Sequence, residues 1–301
     1  MLIRPIPAWA AQEALSAPAR DRAELWRLVA GVVVIAFCYV LPLLLLSLFL
    51  AARYGELIAW AILNRMARGD SPGAMLMLLY SFIGMALGPI AAVRLVHRRR
   101  AGTLFGPSAR GLARNFLRVA VPVGALQLGM LPVALWGGEL RPGLDVAQFL
   151  LFLPFALIGL LIQTGGEELV FRGYLQSQLA ARFRAPLIWL GLPALLFGLG
   201  HHMPGAYGAN ASAITVWAIL FGLLAGDLTA RTGNLGAAMA LHFVNNAVAM
   251  LVVGAGGQMD GLALFILPID LSDPAAAGPA LVVDLGLMVV SWLLARLCLR
   301  V

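Results

Sequence analysis

The chain has no lysine, and only 12% of its residues are charged. All 21 basic side chains are therefore arginine, set against 14 acidic ones for a net charge of +7. Cysteine is scarce as well: Cys38 and Cys298 are the only two, and both sit in apolar stretches. That excludes a disulfide framework and a cysteine zinc site, and leaves core packing as their role. Polar segments long enough to fold a basic face are also missing, so the positive charge does not indicate a nucleic-acid partner. Residues 1–27 hold four arginines but no short apolar run ending in a small-residue cleavage site. The first apolar stretch is therefore expected to stay in the membrane.

What is abundant is apolar: 61% of residues are hydrophobic and the mean hydropathy is +0.91, well above the roughly 45–50% apolar content of soluble domains. A hydrocarbon core about 30 Å thick takes about 20 apolar residues per helix. Windows of that kind fall at residues 28–51, 72–96, 116–136, 147–164, 186–201, 212–229, 235–254 and 279–299, of which the fourth and fifth are short. The expected fold is all-α, a polytopic membrane bundle of about eight transmembrane helices. No internal repeat or change of composition divides it, so residues 1–301 are expected to form one membrane domain.

Arginine placement orients such a bundle. With the N-terminus cytoplasmic, the inner ends collect Arg4, Arg20, Arg22, Arg27, Arg94, Arg98, Arg99, Arg100, Arg110, Arg114, Arg118, Arg172, Arg182, Arg184, Arg231, Arg296 and Arg300. The outer side keeps only Arg53, Arg65, Arg68 and Arg141. A multi-pass protein of the cell membrane with both termini cytoplasmic is the expectation, and a bacterial inner membrane suits it. Residues 55–69, apolar and then carrying Asn64, Arg65 and Arg68, suit an interfacial amphipathic helix on the outer surface.

Charged side chains within apolar windows are costly, and usually paired and functional. Gln163-Thr164-Gly165-Gly166-Glu167-Glu168 runs straight on to Arg172. Glu168 and Arg172, four apart, share a helical face and can pair. Glu167 points about 100° away and lacks that partner. A carboxylate left free in a low-dielectric site is suited to act as a general base. The competing reading is a helix that has left the membrane and exposes solvated charges.

Three of the four histidines favour a site: His201, His202 and His242 lie in or beside apolar windows, while His97 sits in a basic loop. Phe197 shares a face with His201, and glycines 198 and 200 permit close helix approach. Asn246 lies one turn beyond His242. A lone His or Asn here usually makes an interhelical hydrogen bond, but three polar sites at compatible depth are harder to dismiss. Glu167 and His201 each stand 17 residues from a turn near Arg184. Both should lie roughly 25 Å from that turn, level with one another. The preceding window and this helix read as one element kinked at Gly165-Gly166. Asp227 and Arg231 read as a helix-end pair, and Asp284 as interfacial.

Taken in order, Glu167-Glu168-x-x-x-Arg172, Phe197-x-x-x-His201 and His242-x-x-x-Asn246 resemble the motifs of the CAAX prenyl protease and bacteriocin-processing (Abi) family, which includes type II CAAX endopeptidases. The resemblance makes residues 147–250 a catalytic core, flanked by N-terminal helices at 1–146 and an outer loop and last helix at 251–301. It implies hydrolysis of peptide bonds in membrane-tethered peptide or protein substrates near the cytoplasmic face. By that analogy Glu167 and His201 activate a water, His242 and Asn246 stabilise the oxyanion, and Glu168, Arg172 and Phe197 support them. The family's metalloprotease label raises zinc held by Glu167, His201 and His242. The lack of a His-Glu-x-x-His helix and the Asn partner favour a metal-free glutamate mechanism. His202 is expected to pack or to line a cavity wall. A transporter or proton relay is the main rival, although such proteins commonly show repeated halves; a catalytically silent scaffold is a third reading.

Overall fold

In a computed structural model, which describes residues 7–301, each apolar window becomes a helix. Arg4, one of the inner arginines, lies outside the described residues. The helices are α1 (Leu25–Tyr54), α2 (Glu56–Arg68), α3 (Pro72–Leu95), α4 (Ala109–Gly129), α5 (Val146–Arg182), α6 (Leu187–Leu199), α7 (Ala211–Thr232), α8 (Gly236–Val252) and α9 (Pro274–Leu299). The all-α bundle is as expected, but the number of spanning helices is not. Among the described residues six stretches are long and apolar enough to cross a membrane, whereas α6 and α8 are shorter apolar helices of 10–17 residues. At 1.5 Å per residue neither bridges a core about 30 Å thick. Helix α8 is enclosed by protein, packing on α4, α5 and α7, whereas α6 packs on α7 and leaves Leu187, Leu195 and Leu199 exposed on its other face.

The outward faces of the long helices carry Val33, Phe37 and Phe49 on α1, Leu150 and Leu151 on α5, and Val282 and Val283 on α9, all exposed. Water would not tolerate so continuous an apolar surface; lipid does. The interior core runs through Val119, Phe197, Phe221, Leu228, Leu241 and Met288, which draw α4, α6, α7, α8 and α9 together. Helix α2 forms where the amphipathic segment was expected, with Leu57 and Trp60 exposed and Arg65 and Arg68 both bonded to Asp70. Three short strands, β1 (Arg141–Pro142), β2 (Val253–Ala255) and β3 (Phe265–Leu267), form a small sheet in the order β1-β3-β2. The loop after β2 is tied to the end of α2 by Met259 N–H to the Arg68 carbonyl at 2.7 Å.

Helix α5 does not kink at Gly165-Gly166. The helix passes through both glycines, and the irregularity comes later, as π-type winding over Leu169–Gln176. The glycines serve packing instead. A Cβ on Gly166 would stand 3.1 Å from the Ala86 nitrogen on α3, and one on Gly165 would press Met239 on α8. Gly198 does the same between α6 and α7, where a Cβ would strike Ile219 and the Thr215 carbonyl. Small residues let backbones approach where lipid offers no hydrophobic drive for association.

The arginine-rich end is braced by residues 7–22. Trp9 Nε1–H donates to Asp227 at 2.7 Å, while Arg231 and Trp292 donate to the same carboxylate at 2.8 and 3.0 Å. Asp227, expected only as part of a helix-end pair, thus joins the N-terminal segment, α7 and α9. His97 is also buried, with Nδ1–H donating to the Arg22 carbonyl (3.0 Å) and Nε2 bonded to the Tyr174 hydroxyl (2.9 Å). Burial holds the His97 pKa below the usual imidazole value, opposed by the Arg22 carbonyl and reinforced by Arg99 and Arg27.

Two outcomes follow. Gly198→Val should lower the thermal unfolding midpoint in detergent, an overpacking cost of about 1–3 kcal/mol. Gly124→Val, where a Cβ meets nothing, should move it far less. Because the folded state binds the His97 proton less readily than the unfolded chain, stability contributed by neutral His97 is lost as pH falls below about 6.5. The gap in unfolding midpoint between wild type and His97→Gln should therefore narrow on acidification.

Candidate active site

The long helix α5 supplies Gln163, Glu167, Glu168 and Arg172, the end of α6 supplies Phe197 and His201, and α8 supplies His242 and Asn246. Arg172 pairs with Glu168 at 2.9 Å, as the i, i+4 spacing requires. Both are sealed from solvent, at 1% and 0% exposure. The other arm of the guanidinium donates to the Gly222 carbonyl of α7 at 3.2 Å, and its face lies 4.7 Å over the Phe197 ring.

His242 joins this pair to the second carboxylate. Its Nδ1 is 2.9 Å from Glu168 Oε1 and its Nε2 is 3.3 Å from Glu167 Oε2. Glu167, which the helical spacing left without Arg172, thus has a histidine partner on another helix. The Nε2 contact is the looser one, and Glu167 Oε2 has no hydrogen bond of good geometry although it is buried. One guanidinium against two buried carboxylates leaves a negative charge that a proton on His242 would balance. Rings pack round the imidazole: Phe221 at 4.9 Å and Phe197 at 5.9 Å between centroids, both edge-on.

His201 stands in the turn just past α6, partly exposed, its ring 4.6 Å from that of Phe197. Its Nδ1 lies 2.8 Å from the Phe197 carbonyl. A carbonyl can only accept, so the proton is on Nδ1, and a neutral ring keeps a free lone pair on Nε2. Glu167 and His201 form no direct hydrogen bond; Phe197, touching both histidines, is the element that holds the two sides of the site together. His202 donates from Nδ1 to Thr215 Oγ1 at 3.0 Å and pins the turn to α7, in keeping with a packing role.

Asn246, also partly exposed, donates from Nδ2 to Gln163 Oε1 at 2.9 Å. Gln163 was noticed in the sequence but given no part. The available signal was its position, one helical turn before Glu167 on the same face. Glu167 and His242 are 7% and 3% exposed, so solvent meets the site through His201 and Asn246 rather than through an open cavity around the carboxylate. As for zinc, the two nitrogens of His242 face different carboxylates on opposite edges of the ring. Among the described residues no three His, Cys, Asp or Glu side chains gather so as to hold a metal ion. Glu167, His201 and His242, the set raised for zinc as the alternative to a metal-free site, are not gathered in that way.

With this geometry in place, comparison is informative. Residues 149–248 match the family described as type II CAAX prenyl endopeptidase Rce1-like. The matched region is about a third of the chain. It contains every residue of the candidate site, and the resemblance drawn from the three motifs is borne out. A curated relative, the uncharacterized protein YyaK of Bacillus subtilis (strain 168), is 27% identical over 161 residues, covering 52% of this chain and 53% of its own. The match therefore spans about half the length of either protein. No solved structure matches. The six spanning-length helices fit a multi-pass membrane protein, and residues 149–248 are similar to a family of CAAX-type peptidases.

The buried pair gives a direct test. Arg172→Met leaves two carboxylates in the core with only His242, and should cost about 3–5 kcal/mol of stability. Adding Glu168→Gln to that variant should recover part of the loss, as a rise in the unfolding midpoint over Arg172→Met alone.

Proposed function

We propose that the chain is an intramembrane endopeptidase in which Glu167 and His201 activate water against a peptide bond of a membrane-tethered substrate. The observation that carries this reading is the division of roles around His242. Each carboxylate keeps a buried Oε2 without a hydrogen bond, but Glu168 is wholly enclosed with Oε1 held by both Arg172 and His242 at 2.9 Å, whereas Glu167 has only a looser histidine contact at 3.3 Å. Oε2 of Glu167 has acceptor capacity to spare, and so does Nε2 of His201.

A water held between the two would give its proton to this base pair as its oxygen attacks the scissile carbonyl. The negative charge that develops on the carbonyl oxygen meets the second N–H of Asn246, whose first is fixed on Gln163, and the Nε2–H of His242 as it swings from Glu167. The proton taken from water then passes to the leaving amine, which restores Glu167 and His201. Glu168 and Arg172 act as positioning residues: Glu168 holds Nδ1 of His242, so that Nε2 faces the reacting oxygen.

The arginine distribution supports a cytoplasmic location for the termini and the arginine-rich end, and the substrate on this reading is a membrane-associated peptide, prenylated or CAAX-like by the resemblance. Cleavage of such a peptide by the protein reconstituted in vesicles tests the proposal. Glu167→Gln should lower the rate about 10²–10⁴-fold and Asn246→Ala about 10²–10³-fold, each with an unfolding midpoint close to wild type. A wild-type protein that cleaves no tethered peptide but moves a solute across the vesicle membrane would sink the reading in favour of transport.

A further inference from the structure

At the arginine-rich end, away from the candidate active site, the turn after α3 brings Arg98, Arg99 and Arg100 together beside Arg94. Arg99 is unlike its neighbours, at only 8% exposure, while Arg94, Arg98 and Arg100 are exposed. Each of its three nitrogens donates to a neutral acceptor: Nε to Thr103 Oγ1 at 2.7 Å, Nη2 to the Thr103 carbonyl at 3.3 Å and Nη1 to Ser177 Oγ at 3.5 Å. No carboxylate pairs with it among the described residues, and residues 1–6 contain no acid. A charge taken out of water without a counter-charge is costly, and burial lowers the Arg99 pKa to about 10, which still leaves it cationic at neutral pH.

Two concavities open onto this guanidinium. One, of about 170 Å³, lies between the turn and the N-terminal segment and includes Arg22 and Asp21; the other, of about 500 Å³, is bounded by Arg94, Arg98, Arg100 and Gly102. Asp21 opposes an anion in the first, whereas no acid lines the second. Beside the second, Leu95 is 73% exposed, so the groove adjoins the face of α3 that lipid covers.

We infer that Arg99, with Arg98, Arg100 and Arg94, forms a binding site for the phosphate of an anionic membrane phospholipid. The lipid's phosphodiester provides the counter-charge that the fold withholds from Arg99, the exposed guanidiniums close over its oxygens, and its acyl chains run down the apolar face of α3. The inference does not depend on the peptidase reading.

Full-length protein in a neutral detergent, titrated with dioleoylphosphatidylglycerol, dioleoylphosphatidylcholine or inorganic phosphate, tests it through the thermal unfolding midpoint. The phosphatidylglycerol should raise the midpoint saturably, and the phosphatidylcholine and inorganic phosphate should not. Arg99→Gln should abolish the effect. Since that variant removes a buried group, Arg98→Gln with Arg100→Gln gives the second arm, weakening the apparent affinity about fivefold per guanidinium removed. Arg110→Gln with Arg114→Gln, exposed arginines outside the groove, should leave the affinity unchanged. Equal loss in both double variants would mean diffuse surface attraction, and a response to inorganic phosphate matching that to the lipid would mean a soluble ligand; either overturns the proposal.

Discussion

Everything at the centre of this molecule depends on keeping two adjacent carboxylates out of water. Glu167 and Glu168 are consecutive on α5, so they point in different directions and cannot share a partner on their own helix. Glu168 is answered locally by Arg172 at 2.9 Å. Glu167 is met from another helix by His242, which lies between the two carboxylates, its Nδ1 2.9 Å from Glu168 and its Nε2 3.3 Å from Glu167. In a low-dielectric interior this demand is strong, because an unpaired buried charge costs several kcal/mol. The position of α8 against α5 is thereby set by chemistry as much as by shape. The spare arm of Arg172 extends the constraint to the Gly222 carbonyl of α7, and its face rests on Phe197 of α6. Four helices are held by one ionic chain.

The short helices make sense in that light. A helix that crosses the bilayer alone needs length, but one surrounded by other helices needs only partners for its side chains and backbone. Helix α8 can be short because small residues, Gly236, Ala237, Ala238 and Ala240, bury it against its neighbours. Helix α6 is short and ends in the turn that carries His201. A turn at that depth exposes backbone groups, a thing membranes allow only where protein or water covers them. His201 caps its own helix end by donating to the Phe197 carbonyl. The fold therefore uses a broken span to bring a partly exposed imidazole to the depth of buried carboxylates.

Much of this was legible in the chain itself, for identifiable reasons. Hydrophobic length is a one-dimensional property, so all eight apolar windows correspond to helices, and the Glu168–Arg172 pair follows from helical spacing alone. The turn near Arg184 was readable because Ala185-Pro186 disfavours continued helix. Other features were hidden. Gly165-Gly166 suggested a kink because glycine weakens a helix, yet here its missing Cβ admits Ala86 and Met239, which only the tertiary structure supplies. That His242 would reach both carboxylates, and that Asn246 would bond Gln163, depends on the rotation of α8 about its axis. Spacing within α8 cannot fix that rotation relative to α5. Asp227 was likewise underestimated, since two of its three donors, Trp9 and Trp292, come from the far ends of the chain.

The two carboxylates end in unequal situations, and the inequality is what makes chemistry conceivable. Glu168 has a guanidinium and an imidazole within 3 Å of Oε1 and no exposure; its Oε2 is also unbonded, but a group so enclosed and doubly held can orient others and is closed to substrate water. Glu167 has one contact at 3.3 Å and a buried oxygen without a good bond, one helical turn from the Gln163 that holds the partly exposed Asn246. A buried polar atom left unsatisfied is destabilising, so a folded protein that retains one holds unused bonding capacity at that point. A water or substrate atom entering from the His201 side would use it. Sequence adjacency thus yields one carboxylate that builds the site and one left available to act in it, because neighbours on a helix cannot face the same way.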